Sequence, residues 1–236
     1  MEFVFILVFW ICFEFRASDF GFVKSSNISI VRVVKTPSLV KKVFNGLIWN
    51  FPGSANEIFL TFDDGPVPEV TPFVLSILKE YNAKATFFCV GKNVEKYPDI
   101  YDKIIMEGHS VGNHTYNHIN GWETNTEEYL MDVERAREII DSDLFRPPYG
   151  KIKKNQAKAL KDYYKIIMWD VLSYDFDSSV SEEKCLGNVT AKAKEGSIVV
   201  FHDSVKAGET MKYSLTCALK YFSDREYIFS AIDPKK

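Results

Sequence analysis

Cysteine is scarce in this chain, four residues among 236, and Cys12, Cys89, Cys185 and Cys217 never stand in a CxxC pair. That spacing argues against a zinc knuckle and against a disulfide framework, and Cys89, set in an apolar strand pattern, is expected only to pack. A basic surplus is missing too. With 29 Lys and Arg against 32 Asp and Glu the net charge is -3, and no basic cluster is interleaved with aromatics, so no nucleic-acid partner is expected. Lys151, Lys153 and Lys154 read as a solvated turn and helix start. There is no internal repeat, low-complexity stretch or long linker. The apolar run from Phe3 to Phe13 has eleven residues, too few to span a bilayer. What is present is ordinary globular composition, 46% hydrophobic and 26% charged, enough for one well-buried core.

The N-terminus is weakly marked. Glu2, with no Lys or Arg ahead of it, is a poor signal-peptide start, and no small-x-small cleavage site precedes Ser18. Three readings stay open for residues 1-30: an atypical export signal, a weak membrane anchor, or translated sequence upstream of the real start. The last is favoured because Val31-Arg32-Val33-Val34-Lys35-Thr36-Pro37 reads as the beginning of a domain. The expected organisation is an apolar segment at 1-30 and a folded domain at 31-236. An extracytoplasmic or membrane-associated location, with membrane contact, follows if residues 1-30 are retained as signal or anchor, and a cytoplasmic one if the start lies near Val31.

From Glu57 onward strand and helix patterns alternate. Glu57 to Phe62, Ala85 to Val90, His109 to Val111, Lys165 to Trp169, Ser197 to Phe201 and Tyr227 to Ala231 read as strands, and Phe145 to Gly150 as a strand end and turn. Helices are expected after the Thr71 cap and Pro72, near Pro98 to Glu107, from a Thr124/Glu127 capping box through Ile140, at Lys154 to Tyr163, near Glu182 to Lys194, and at Thr210 to Phe222. Repeated βα units imply a parallel sheet, open or closed into a barrel. In either form polar residues at the carboxyl ends of strands gather in one place, which would unite Asp63, His114, Arg146, Asp175 and His202.

Two segments carry chemistry. Thr61-Phe62-Asp63-Asp64-Gly65-Pro66 ends an apolar strand with adjacent carboxylates, which can supply a metal ligand and a base. Asn113-His114-Thr115-Tyr116-Asn117-His118 holds two histidines four apart, expected on one face of a helical turn. With one carboxylate they make a 2-His-1-carboxylate site with open positions, which points to metal-assisted hydrolysis. Alone, each segment has a plainer reading: a carboxylate pair as cap or solvated turn, an HxxxH pair as satisfied histidines, Arg146-Pro147-Pro148 as a rigid turn, His202-Asp203 as a strand end with a cap. His109 lies before the histidine pair in an apolar strand and is expected to be structural.

Taken in order, TFDDGP at 61-66, NHTYNH at 113-118, RPPYG at 146-150, WDVLSYDF at 169-176 and IVVFHD at 198-203 resemble the five motifs of the polysaccharide deacetylases with the NodB homology domain. The resemblance covers roughly Val31 to the C-terminus. It implies a distorted (β/α)7 barrel and a divalent metal, zinc foremost, with cobalt, nickel and manganese also suited to the donor set. It makes Asp63 the general base and Asp64, His114 and His118 the metal ligands. Arg146 resembles the arginine that orients the base, and the Tyr149 N-H the oxyanion donor. His202 resembles the general acid, with Asp175 its partner, and Val200 lines the pocket for the acetyl methyl. The fourth motif departs from the pattern, for Leu172 stands where many members carry aspartate and Phe176 where they carry tryptophan. Phe176 still offers an apolar wall to a sugar, and Trp169 is expected in the core.

The activity so implied is metal-dependent removal of N-acetyl groups from a glucosamine-containing glycan, peptidoglycan or chitin-like, with release of acetate. An O-acetyl esterase of xylan type or a small cyclic-amide hydrolase would use the same site. A catalytically silent glycan-binding protein is the alternative from another class, against which the presence of base, ligands and acid together speaks.

Overall fold

Strand β1 (Glu57–Asp63) is buried from Ile58 to its end, and its near-continuous apolar run is what a parallel strand covered on both faces requires. Ile58, Leu60 and Phe62 are each at most 1% exposed, and burial of such side chains stabilises by roughly 2 kcal/mol apiece. The computed structural model describes residues 32-235; the expectations for residues 1-30 lie outside them.

Around β1 the sheet runs in the order β5-β4-β3-β2-β1-β7-β6, with β8 paired to the start of β1. The other strands are β2 (Thr86–Cys89), β3 (Ser110–Asn113), β4 (Leu144–Phe145), β5 (Lys165–Ile166), β6 (Val171–Leu172), β7 (Ile198–His202) and β8 (Ile228–Phe229). Every pairing is parallel. Helices α1 (Ser38–Val43), α2 (Thr71–Glu80), α3 (Gly91–Lys96), α4 (Pro98–Met106), α5 (Thr126–Arg137), α6 (Lys154–Leu160), α7 (Glu182–Thr190) and α8 (Gly208–Ser223) connect the strands or precede them. The result is a seven-strand parallel half-barrel, the distorted (β/α)7 form. Strands β5 and β6 do not pair; antiparallel residues near Lys35 join β6, and Ile48 joins the chain just after β5. Buried Asp170, ion-paired to Lys41 and Lys35 and accepting from Ser197 Oγ at 2.6 Å, ties down that N-terminal stretch.

Register decides where the chemistry lies. Asp63 stands opposite His202 on one side and Phe88 on the other, Cys89 opposite Asn113, and Asn113 opposite Phe145. The residues that end these strands, or follow them by one, therefore share one rim, as parallel βα architecture dictates.

Several boundaries differ from the sequence pattern for identifiable reasons. The strand expected over Lys165 to Trp169 ends at Ile166, because the carbonyls of Ile167 and Met168 accept from Arg146 at 3.2 and 3.0 Å. The cap of α5 is Asn125, whose side chain accepts from the Glu128 N-H, while Thr124 turns back to the Asn120 carbonyl. Thr71 begins α2 without capping it; its hydroxyl accepts from the Val67 N-H and donates to Asp203. Helices α1 and α3 and strand β6 are too short for periodicity to reveal. His109 is buried, accepts the Ala85 N-H at Nδ1 and packs edge-on to Phe87, a structural role.

Candidate active site

The two carboxylates that end β1 have different partners. Asp63 accepts from the Arg146 guanidinium at 2.6 Å, and Arg146 is fully buried. The same guanidinium donates to Thr61 Oγ1 at 2.7 Å and to the carbonyls of Ile167 and Met168, and lies 4.1 Å over the Phe88 ring. Those bonds account for all three nitrogens, so Arg146 has one orientation and Asp63 is held with it.

Asp64, at φ 83, turns the other way. Its Oδ1 lies 3.1 Å from His118 Nε2 and 3.8 Å from His114 Nε2. The three ligand atoms fall within 4.8 Å of one another. The histidine pair does not sit on a helical turn as its spacing suggests. Residues 114-120 form a bend in which Thr115 and His118 take positive φ, 62 and 57, and that bend brings both rings to one carboxylate. Asp132 on α5 holds it, accepting the N-H groups of Tyr116 and Asn117 at 2.8 and 2.9 Å.

The donor set fits a divalent metal. A backbone carbonyl only accepts, so the 2.7 Å contact of His114 Nδ1 with the Arg146 carbonyl places the proton on Nδ1 and leaves the Nε2 lone pair facing Asp64. Burial pushes the pKa of His114 down to about 4, so its imidazole is neutral, as a ligand must be. Burial alone would raise the Asp64 carboxyl, but the hydrogen bond from His118 and the charges of His202, His118 and His114 pull it well below the carboxylate range. Two imidazole nitrogens and one carboxylate oxygen make a three-ligand set with open positions.

His202 faces this cluster from the end of β7. Its Nδ1 lies 2.7 Å from Asp175 Oδ1, and its backbone N-H donates to Asp175 Oδ2 at the same distance. Burial works against its charge, but the charge and hydrogen bond of Asp175, with Asp64 and Asp63 beyond, raise its pKa to about 9. Its ring is therefore an acid at neutral pH with Nε2 free of Asp175.

These groups line a cleft of about 470 Å³ that also includes Tyr149, Lys151, Trp169, Leu172, Tyr174, Phe176, Val200 and Lys206. All the residues expected from the sequence meet there except Arg146 and Asp175, which stand behind Asp63 and His202. Tyr149 packs edge-on to His118 with ring centres 4.7 Å apart, and Phe176 to His202 at 4.8 Å. Trp169 is buried in the core, as expected, and also forms part of the cleft wall. Sequence reading missed Thr61, Asp132 and Asp203. Asp203 was legible only as a cap, yet its carboxylate accepts from the Gly65 N-H at 3.0 Å and from Thr71 Oγ1 at 2.6 Å, tying the loop after Asp64 to β7.

A family model described as polysaccharide deacetylase matches residues 52-164. A peptidoglycan-N-acetylglucosamine deacetylase of Bacillus cereus is 40% identical over 160 residues, 65% of this chain and 58% of that protein. A chitooligosaccharide deacetylase of Azorhizobium caulinodans is 31% identical over 168 residues, 68% of this chain and 80% of its own length. The chain belongs to the polysaccharide deacetylase family. It thus spans well under two thirds of the Bacillus cereus relative. Among solved structures, the Bc1960 peptidoglycan N-acetylglucosamine deacetylase superposes with a TM-score of 0.77 at 32% identity, over 84% of this chain and 95% of that one. The family is metal-dependent, and among the described residues the Asp64, His114 and His118 cluster is the one that could hold the ion.

Proposed function

We propose that this polysaccharide deacetylase hydrolyses the N-acetyl amide of a glucosamine-containing glycan, with zinc as its metal and residues 31-236 as the catalytic domain. The observation that carries the reading is the divergence of the adjacent carboxylates: Asp64 faces two histidines while Asp63 is kept on Arg146. The names of the relatives support the substrate class, since those proteins act on peptidoglycan and chitooligosaccharide.

Asp64, His114 and His118 would hold the divalent ion, which when bound would supply Lewis-acid polarisation of the acetyl carbonyl and a lowered pKa for water. Asp63 takes the proton of the attacking water on Oδ2, because Oδ1 is occupied by Arg146. The Tyr149 N-H donates to the oxygen on which negative charge develops, and Val200 bounds the space for the methyl group. His202 then gives its Nε2 proton to the departing nitrogen, and Asp175 holds the Nδ1 side so that only Nε2 is presented. Acetate and a free amine result. Bond, water and protons balance: one water is consumed, its hydroxyl goes to the acetyl carbon, and Asp63 and His202 return to their starting states by exchanging a proton with solvent.

Zinc-loaded protein incubated with N-acetylglucosamine oligomers should release acetate mole for mole with new amino groups. Release of acetate only from acetylated xylan would replace the amide reading with an ester one.

A further inference from the structure

Two lysines of the cleft take no part in this chemistry. Lys151 Nζ lies 5.9 Å from the centre of the Tyr149 ring and 5.4 Å from that of Trp122, on the side where Tyr149 meets the metal ligand His118. Lys206 Nζ lies 5.7 Å from the Phe176 ring, on the side where Phe176 meets the acid His202. The reacting centre is therefore flanked on its ligand side and on its acid side by an aromatic ring with an ammonium beside it.

The carboxylates nearby are otherwise engaged. Asp63 is on Arg146, Asp175 on His202, and Asp177, next to Phe176, on Arg32 at 2.7 Å. Glu123 is close enough for its charge to act on the Tyr149 hydroxyl, yet among the described residues neither Lys151 nor Lys206 forms an ion pair. An ammonium beside a ring and outside any ion pair keeps its donors for a ligand. The whole chain is net -3, so attraction to an anion has to come from such local placement.

We propose that Lys151 and Lys206 bind carboxylates of the glycan on the two sides of the scissile amide, so that the cleft selects N-acetylglucosamine whose neighbouring sugars are acidic over a neutral oligomer. The proposal rests on the deacetylase reading and names its substrate class. The faces of Tyr149 and Phe176 take the apolar faces of the neighbouring sugars, and the ammonium groups take their acid substituents. An alternating polymer of neutral and acidic amino sugars places a carboxylate on both sides at once.

The test compares three tetrasaccharides with zinc-loaded protein: alternating N-acetylglucosamine and N-acetylmuramic acid with free lactyl carboxylates, the same compound with the carboxylates converted to methylamides, and chitotetraose. Acetate release gives kcat and KM, and calorimetry on the Asp63→Asn variant gives Kd for the same three. The expected preference of the free acid over its methylamide is about tenfold per engaged carboxylate, the scale of one charge-assisted hydrogen bond. It should appear in KM and Kd, weaken as salt is raised, and fall in Lys151→Gln and Lys206→Gln and further in the double variant. Equal binding of acid and methylamide, or variants that weaken both alike, would overturn the proposal. Absence of acetate from every compound would refute the deacetylase reading instead, and the Kd ratios would still decide the role of the lysines.

Discussion

Arg146 and Asp63 form an ion pair at 2.6 Å, with Arg146 fully buried and Asp63 4% exposed, and this pair separates the proposed base from the metal ligand one residue away. A buried pair is costly to break from one side, because the remaining charge has no water to turn to. Arg146→Met is expected to lower stability by about 3–5 kcal/mol, read as the shift of a urea midpoint. Arg146→Lys should restore part of that stability but little turnover, since one ammonium cannot serve Asp63, Thr61 and two carbonyls together. Full activity in the lysine variant would remove the orienting role.

Asp63→Asn should keep its metal and lose nearly all turnover, on the order of a thousandfold, as expected when a general base is removed. His114→Ala should lose both. Metal analysis after gel filtration separates the two, and equal metal loss would contradict the division of roles.

The parallel sheet and its active rim were legible in the sequence because key motif residues close apolar strands, as Ile58-Phe59-Leu60 precede Asp63 and Ile198-Val199-Val200 precede His202, but the order of the strands was not. The bend of the histidine pair was not, since spacing of four suits a helix and nothing local announces positive φ at Thr115 and His118. Nor was Asp132, whose part depends on α5 packing over that bend. Thr61 reads as an ordinary strand residue until Arg146 arrives from 85 positions away. Local pattern shows which residues end strands; which long-range partner fixes each one is a property of the packed barrel.

Gly65 is required by a neighbour. A Cβ there would stand 2.0 Å from an oxygen of the Asp203 carboxylate. Gly65→Ala should destabilise by about 1–3 kcal/mol, the usual cost of overpacking, and weaken metal binding by moving Asp64. The double variant Gly65→Ala/Asp203→Gly, which clears the clash, should recover part of the metal affinity measured by competition with a chelating dye. No recovery would show that the loop depends on the Asp203 carboxylate itself and not only on freedom from the clash.

His202 links stability to pH. In metal-free protein its folded pKa of about 9 lies above the ordinary 6.5, so the stabilisation from Asp175 is complete below 6.5 and is lost as pH rises through 9. Thermal midpoints between those values should therefore fall more steeply for the native chain than for Asp175→Asn. As general acid, His202 should matter more for an amide than for an aryl acetate, whose aryloxide leaves without a proton. His202→Ala should thus depress amide hydrolysis more, and equal losses on both substrates would remove the acid role.

The most direct measurement is acetate release from N-acetylglucosamine oligomers, peptidoglycan, acetylated xylan and an activated acetyl ester, with wild-type and Asp63→Asn protein matched for bound metal. Release from the N-acetyl glycans by wild type alone is the predicted result. Release from the esters alone, or equal release by the two proteins, would contradict the account.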